Sequence, residues 1–564
     1  MSSENTLSRR RFMAYSALIT AGTAVASTAV AQHGPSEQSI APLDLYNQAS
    51  RAGLPFLHSV ASGDPLPDSI ILWTRVTPDR DSLPGSGLGP DVTVRWDIAT
   101  DTAFTDTIGT GTAIATAEHD HTVHIDVKGL RPETIYYYRF IVLDGDHRGA
   151  TSPIGRTKTA PAYDSSPEEI TFATASCANW ECGYFSAYRD MAQRGYNGEL
   201  DLVVFLGDYI YEYATGEYAG KSGISRVHHP QWEITTLEDY RIRYGTYRTD
   251  PFLQAAHAST PWVVTWDDHE TANNSWSAGA ENHTDDPAEG KWTTRRDNAQ
   301  QAYFEWLPVR VTMDSPERHI YRSFQYGDLM ELTMMDLRSY RDAETDAANF
   351  ANPERTMLGS EQFNWLKNVL ETSTAAWNVL GNSVMLSPMK ILTVEGDPAA
   401  NAALNFVDQR TTGMAVNSDQ WDGYAADRDR LLELLSHTSA NTFVVTGDIH
   451  SEWANSVIWN DKEIGAEMVC TSISAPNVDE ILTSYLGSYH PENNSTSLLV
   501  EDVLTGANPW VKHLDFDAHG YCIAHLSREQ VVMDYVRVAD VETNNAATNI
   551  AVTKTWRPGE GFVD

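Results

Sequence analysis

The chain has 564 residues, 41% of them apolar and 10% aromatic, and it carries 40 Lys and Arg against 77 Asp and Glu, a formal charge of −37. That length predicts two domains, or one large and one small, with enough apolar residues for a sizeable core. So acidic a chain repels nucleic-acid backbones and anionic membranes, and no apolar run in its body is long enough to span a bilayer.

The N-terminus reads as a targeting segment. Ser8-Arg9-Arg10-Arg11-Phe12-Met13 has a twin-arginine pattern, Ala14 to Val30 is weakly apolar, and Ala29-Val30-Ala31 is an A-x-A cleavage site. Residues 1–31 are therefore predicted to be a signal peptide read by the twin-arginine export machinery, giving a periplasmic or secreted protein. That route exports folded proteins, which suits an enzyme whose metal is loaded in the cytoplasm. Residues 32–54 read as a linker.

From 55 to 160 the pattern is short alternating strands separated by turns, as in Ile70–Val76, Val92–Ile98 and Ile135–Val142. Period-2 alternation at even spacing predicts an N-terminal β-sandwich of fibronectin or immunoglobulin type. Leu130-x-Pro132-x-Thr134-x-Tyr136 resembles the tyrosine-corner segment of such sandwiches. Pro153, Pro161 and Pro167 mark a linker.

From 168 to 545 the rhythm changes to strand, loop, helix. Strands are predicted at 170–175, 202–206, 262–266, 329–335, 377–380 and 443–446. One helix starts at Ser360 as N-cap, with Phe363, Leu366, Val369 and Leu370 on one face; another spans 427–435 with Leu431, Leu434 and Leu435 facing inward. This predicts an α/β layered catalytic domain. It closes on an antiparallel pair at 520–525 and 530–538, followed by a C-terminal tail over 546–564. The four cysteines, Cys177, Cys182, Cys470 and Cys522, do not make a disulfide scaffold, although Cys470 and Cys522 could pair in an oxidising compartment.

The residues just after the strands carry the chemistry. They are Cys177; Asp208 with Tyr211; Asp268-His269-Glu270; Asp336 with Arg338; Asn382; and Asp448 with His450. In open α/β sheets, ligand groups gather at the carboxyl ends of strands. Thiolate, phenolate and imidazole together suit a ferric ion. Asp268, Asn382 and Asp448 offer only oxygen, which suits a harder ion such as Ca²⁺, and Asp208 has two oxygens with which to bridge both. His269 can hydrogen-bond a phosphoryl oxygen or protonate a leaving group, and Arg338 can form a bidentate contact with phosphate or pair with Asp336. No serine sits in a G-x-S-x-G setting, so a covalent phosphoenzyme is not expected.

Taken together, Ser176-Cys177, Gly207-Asp208-x-x-Tyr211, Trp266-Asp267-Asp268-His269-Glu270, Gly381-Asn382 and Gly447-Asp448-x-His450 resemble the alkaline phosphatase D (PhoD) family. That family is related to the purple acid phosphatases within the calcineurin-like metallophosphoesterases. Val60-Ala61-Ser62-Gly63-Asp64-Pro65, Leu72-Trp73-Thr74-Arg75 and Asp336–Arg341 extend the resemblance over most of the chain. It implies an exported phosphomonoesterase or phosphodiesterase using a metal-activated hydroxide. One Fe³⁺ would be held by Cys177, Asp208, Tyr211 and His450, and Ca²⁺ by Asp208, Asp268, Asn382 and Asp448. Asp268 stands where the wider superfamily usually has asparagine, and its added charge favours Ca²⁺. Two rival readings are a phospholipase D-like phosphodiesterase acting on phospholipid headgroups and a non-catalytic metal-containing binding protein.

Overall fold

The computed structural model of the chain describes residues 41–311, 319–390, 417–480 and 495–563. The predicted signal peptide lies outside these residues. After a short helix α1 (Pro42–Ala49), the first strands are β1 (Val60–Leu66), β2 (Ser69–Arg75), β3 (Val92–Ala99), β4 (Thr107–Ala115), β5 (Thr122–Lys128), β6 (Ile135–Val142) and β7 (Gly155–Lys158). Then come β8 (Glu169–Ala175), α2 (Ser186–Asn197), β9 (Leu202–Leu206), α3 (Leu237–Tyr247), α4 (Pro251–Ser259), β10 (Trp262–Thr265) and α5 (Trp292–Trp306).

A second series contains β11 (Arg322–Tyr326), β12 (Met330–Met334), α6 (Gly359–Thr372), β13 (Trp377–Asn382), α7 (Ala425–Ser436), β14 (Asn441–Thr446), β15 (Glu452–Trp459), β16 (Lys462–Val469), α8 (Ser495–Ala507) and β17 (Val511–Asp515). The last strands are β18 (Gly520–Ser527), β19 (Val531–Val538), β20 (Thr548–Arg557) and β21 (Gly561–Val563).

These strands form a ten-stranded sheet in the order β21-β20-β19-β18-β8-β9-β10-β1-β2-β5, a seven-stranded sheet β11-β12-β13-β14-β16-β15-β17, and a four-stranded sheet β4-β3-β6-β7. Side-chain alternation stacks the two large sheets. Leu202, Val204 and Leu206 join Val379, Phe443 and Val445 in the core between the sheets, while Val203 and Phe205 belong to the core under α2–α5. Val444 and Leu380 point outward to the core beneath α6 and α7. Strands buried on both faces read as continuous apolar runs because each face has its own apolar cover.

The layered α/β expectation holds, but several segments differ from the reading above. The N-terminal strands do not stand apart as a sandwich. β1, β2 and β5 extend the ten-stranded sheet, with Gly63 opposite Trp262, and β3, β4, β6 and β7 form the layer against them. Gly63 makes the join possible, since a Cβ there would lie 2.7 Å from the Trp262 carbonyl oxygen on β10 and 2.3 Å from that of Pro308. The tyrosine corner is present: the Tyr136 hydroxyl accepts the Arg131 N–H at 2.8 Å.

Part of the expected linker is helical, because Leu45 and Ala49 bury one face of α1. The expected tail forms β20, which pairs onto β19, and β21, which pairs onto β20. Ser360 lies inside the first turn of α6, whose N-cap is Leu358, and in α7 Leu432 is buried where Leu434 was expected. All four cysteines are buried and none forms a disulfide, Cys470 and Cys522 included.

Candidate metal centre

The parallel strands β8, β9 and β10 of one sheet and β12, β13 and β14 of the other bring their carboxyl ends to one place. A bridge between Ser176 and Ser472 ties the sheets together there. Two glycines permit the approach. A Cβ on Gly207 would fall 2.5 Å from the Asp267 nitrogen, and one on Gly447 would fall 2.6 Å from Ser176 Oγ.

The backbone is turned sharply at the candidate ligands. Cys177, Asp208, Asp448 and His450 all have positive φ, at 59°, 57°, 67° and 54°. Left-handed backbone at a non-glycine residue costs about 1 kcal/mol or more and persists where the surroundings enforce it. Glu270 supplies much of that enforcement at Asp208. Its carboxylate accepts the backbone N–H groups of Asp208 at 3.0 Å, Tyr209 at 2.6 Å and Asp267 at 2.9 Å. Burial is the main influence on Glu270 and lifts its carboxyl to about 7, against the lowering effect of those bonds.

Three sets of side chains place ligand atoms within 4.8 Å of one another: Cys177, Asp208 and His450; Asp208, Asp268 and His269; and Asp267, Asp268 and Asp448. Asp208 belongs to the first two and so lies between them. Its Oδ2 accepts from the Tyr211 hydroxyl at 2.9 Å, and that hydroxyl is 3.2 Å from His450 Nε2. The other oxygen, Asp208 Oδ1, is buried without a hydrogen-bond partner. A buried carboxylate oxygen left so costs about 1–3 kcal/mol or more. Burial, reinforced by Asp268, Asp267 and Glu270 and opposed by His269, drives the Asp208 carboxyl well above its ordinary range. A cation would relieve both conditions, and the thiol, phenol and imidazole around it are suitable donors. His450 is set up for that role: its Nδ1 donates to the Pro476 carbonyl at 2.7 Å, which leaves Nε2 as the available lone pair.

His269 is held from the opposite side. Its Nδ1 lies 2.6 Å from Glu212 Oε2 and its Nε2 4.0 Å from Asp268 Oδ1. Burial alone would lower its basicity, but Asp268, Glu212 and Asp208 outweigh burial and raise its pKa to about 10. Tyr211 packs on the imidazole at 4.3 Å between ring centroids, Tyr213 at 5.4 Å and Tyr218 at 6.4 Å. The loop carrying these tyrosines is fastened by buried Arg243, which donates to the carbonyls of Tyr211, Tyr213, His229, Pro230 and Trp232.

Two sequence-predicted residues are engaged differently from expectation. Arg338 is not an open phosphate clamp and does not pair with the Asp336 carboxylate through its guanidinium. Its Nε and Nη2 each lie 2.6 Å from an oxygen of Asp267, and Nη1 donates to Asp419 at 2.8 Å. Asp336 instead accepts the backbone N–H groups of Arg338 and Ser339, shaping the turn. Asn382 has both ends of its amide in use: Oδ1 accepts from Trp421 Nε1 at 2.9 Å, and Nδ2 donates to Thr446 Oγ1 at 3.1 Å and to the Val384 carbonyl.

Glu212, Asp267, Tyr218, Asp419 and Gln420 join the site without being expected from the sequence, Gln420 donating to Asp448 Oδ2 at 2.9 Å. Glu212 had a signal, since it stands four residues after Asp208. Asp419 follows no strand and had none.

Two stacked sheets flanked by helices, with candidate metal-ligating side chains gathered at the strand ends, define an α/β protein with a candidate metal centre. The chain belongs to the PhoD-like phosphatase family, which matches residues 172–535, and the N-terminal domain of that family matches residues 40–161. It is 40% identical over 488 residues to alkaline phosphatase D of Bacillus subtilis (strain 168), covering 84% of this chain and 77% of the relative. A solved structure of PhoD is similar at a TM-score of 0.77 and 35% identity, covering 91% of this chain and 92% of that one. A purple acid phosphatase from yellow lupin (Lupinus luteus) seeds shares the fold, with a TM-score of 0.50 at 11% identity over 87% of this chain and 73% of that one.

Proposed function

We propose that the chain is an exported, metal-dependent phosphoesterase that hydrolyses phosphomonoesters, phosphodiesters or both. The observation that carries this reading is Asp208. It is a buried carboxylate shared by two sets of ligand atoms, with one oxygen lacking any protein partner. Membership of the PhoD-like phosphatases supports it.

Cys177, Asp208, Tyr211 and His450 would hold Fe³⁺. Asp208, Asp268 and Asp448 would hold Ca²⁺, with the second lone pair of Asn382 Oδ1 as a further donor. Bound there, such cations supply Lewis acidity toward phosphoryl oxygens and make water a nucleophile near neutral pH. The chain's own groups do the rest. His269, oriented by Glu212, holds a proton on the Asp268 side, where it can hydrogen-bond a phosphoryl oxygen or be handed to the departing alkoxide. The Tyr211, Tyr213 and Tyr218 rings wall that imidazole and keep its plane fixed. Glu270 holds the Asp208 turn open to both ligand sets.

Export through the twin-arginine machinery is supported by the pattern of residues 1–31. No helix among the described residues is long and apolar enough to cross a membrane.

The test is release of p-nitrophenol from its phosphate monoester and diester by iron-loaded protein with and without Ca²⁺. Calcium-dependent turnover of either ester is expected. No turnover of any ester by fully metal-loaded protein would leave the binding-protein reading in its place.

A further inference from the structure

Arg338 occupies an unusual position for a buried guanidinium. Besides its fork onto Asp267 and its bond to Asp419, its Nη2 lies 3.5 Å from Asp448 Oδ1 and 3.7 Å from Asp268 Oδ1. Those are the two carboxylates that, on the reading above, belong only to the second metal position. Asp267 is itself close enough to join them, because its ligand atom lies within 4.8 Å of theirs. A guanidinium keeps its charge at every pH the protein meets. Here it is held on several sides, with Arg341 sharing Asp419 at 2.6 Å. Burial works against ionisation of Asp419, but Arg338 and Arg341 overcome it and hold the carboxyl down at about 2, so this anchor stays charged.

We propose that Arg338 is a resident counter-cation that sets the affinity of the second metal position. It does so by partly neutralising Asp268 and Asp448 and by withholding Asp267 as an additional ligand. The inference rests on the two-metal reading and adds a consequence to it. An ion beside Asp268 and Asp448 shares their negative charge with a fixed positive one and is held loosely enough to exchange with the medium. The ion among Cys177, Asp208, Tyr211 and His450 is held by donors of a different kind. Occupancy of the second position then follows ambient Ca²⁺, and the arginine determines the concentration at which it fills.

Calorimetric titration of Ca²⁺ into iron-loaded protein reads this directly, without activity. Arg338→Gln is expected to bind Ca²⁺ about tenfold or more tightly, the scale set by removing one unit charge a few ångströms from a divalent ion. Asp267→Asn moves affinity the other way. The double variant Arg338→Gln/Asp267→Asn, which removes the pair together, returns to within about threefold of the parent. Should Arg338→Gln fail to fold, the step from Asp267→Asn to the double variant removes the same charge without stranding a buried carboxylate, and it too must tighten binding.

Unchanged or weaker Ca²⁺ affinity on loss of Arg338, in protein with native circular dichroism, overturns the inference. So does unchanged Ca²⁺ affinity with weakened inhibition by inorganic phosphate, which would make Arg338 a phosphate ligand. Asp448→Asn separates the two levels. Calcium binding that this substitution does not weaken removes the second position itself, and the inference with it. Binding that it weakens while Arg338→Gln changes nothing removes the inference alone.

Discussion

Glu212 and His269 meet at 2.6 Å between Oε2 and Nδ1, and both side chains are buried. Glu212 Oε1 is also occupied, accepting the Asn273 backbone N–H at 2.7 Å and Asn282 Nδ2 at 2.8 Å. The carboxylate therefore cannot rotate away, and the imidazole it holds presents Nε2 toward Asp268. Despite burial, His269 and Arg295 keep the Glu212 carboxyl below its ordinary range, so it remains an acceptor.

Glu212→Gln retains the shape but weakens the orienting charge. Turnover is expected to fall about 10–100-fold, part of the roughly 10²–10⁴-fold that a positioned general acid supplies, with KM little changed. His269→Gln combined with Glu212→Gln should cost little more than His269→Gln alone, because the two act as a unit. Steady-state kinetics of the three variants check this; full additivity would show that Glu212 acts elsewhere.

Glu270 predicts a stability effect. Glu270→Ala removes the acceptor of three buried N–H groups, each costing about 1–3 kcal/mol when left unsatisfied. Urea unfolding should show a loss of several kcal/mol, with metal retention falling as the Asp208 turn relaxes. Glu270→Gln keeps one acceptor oxygen and should lose less.

Tyr211 and Cys177 predict a colour. Iron-loaded protein should absorb in the visible through phenolate and thiolate charge transfer. Tyr211→Phe and Cys177→Ser should each shift or weaken the band while leaving the far-ultraviolet circular dichroism unchanged. A colourless, fully active enzyme free of iron would contradict the ferric assignment.

His525 on β18 and Asp534 on β19 predict a small pH dependence of stability. Their hydrogen bond, at 3.4 Å, is the main cause of a raised His525 pKa and a lowered Asp534 pKa. The histidine's contribution is full below its unfolded value near about 6.5 and is lost as pH rises through the higher folded value. The aspartate's contribution is present above about 3.9 and is lost as pH falls through the lower folded value. His525→Gln should therefore lower the unfolding free energy at pH about 5.5 by less than about 1 kcal/mol for a partly exposed pair, seen as a slightly lower Tm. At pH about 9 the variant and parent should melt alike.

The candidate residues stand out in the sequence because strands buried on both faces leave apolar runs, and a polar residue at the end of such a run is conspicuous. Leu202–Leu206 followed by Asp208, and Phe443–Thr446 followed by Asp448 and His450, are of this kind. The features that the sequence does not reveal depend on contacts between distant segments. The Arg338 guanidinium forks onto Asp267, 71 residues away, and bonds Asp419, 81 residues away, in place of a local pairing with the Asp336 carboxylate. Strand β20 looks like tail in the sequence because much of it is exposed, with only the short β21 beyond it in the sheet, so burial imposes little alternation on it. The join of β1 to β10 rests on Gly63, whose importance lies in the side chain it lacks.

On the function proposed, Asp208 holds two cations for phosphate-ester hydrolysis. The most direct test is metal content and p-nitrophenyl ester turnover measured on one preparation of Asp208→Ala beside the parent. The account predicts loss of bound metal together with loss of turnover, in protein that is still folded. Normal turnover with a full complement of metal would contradict it.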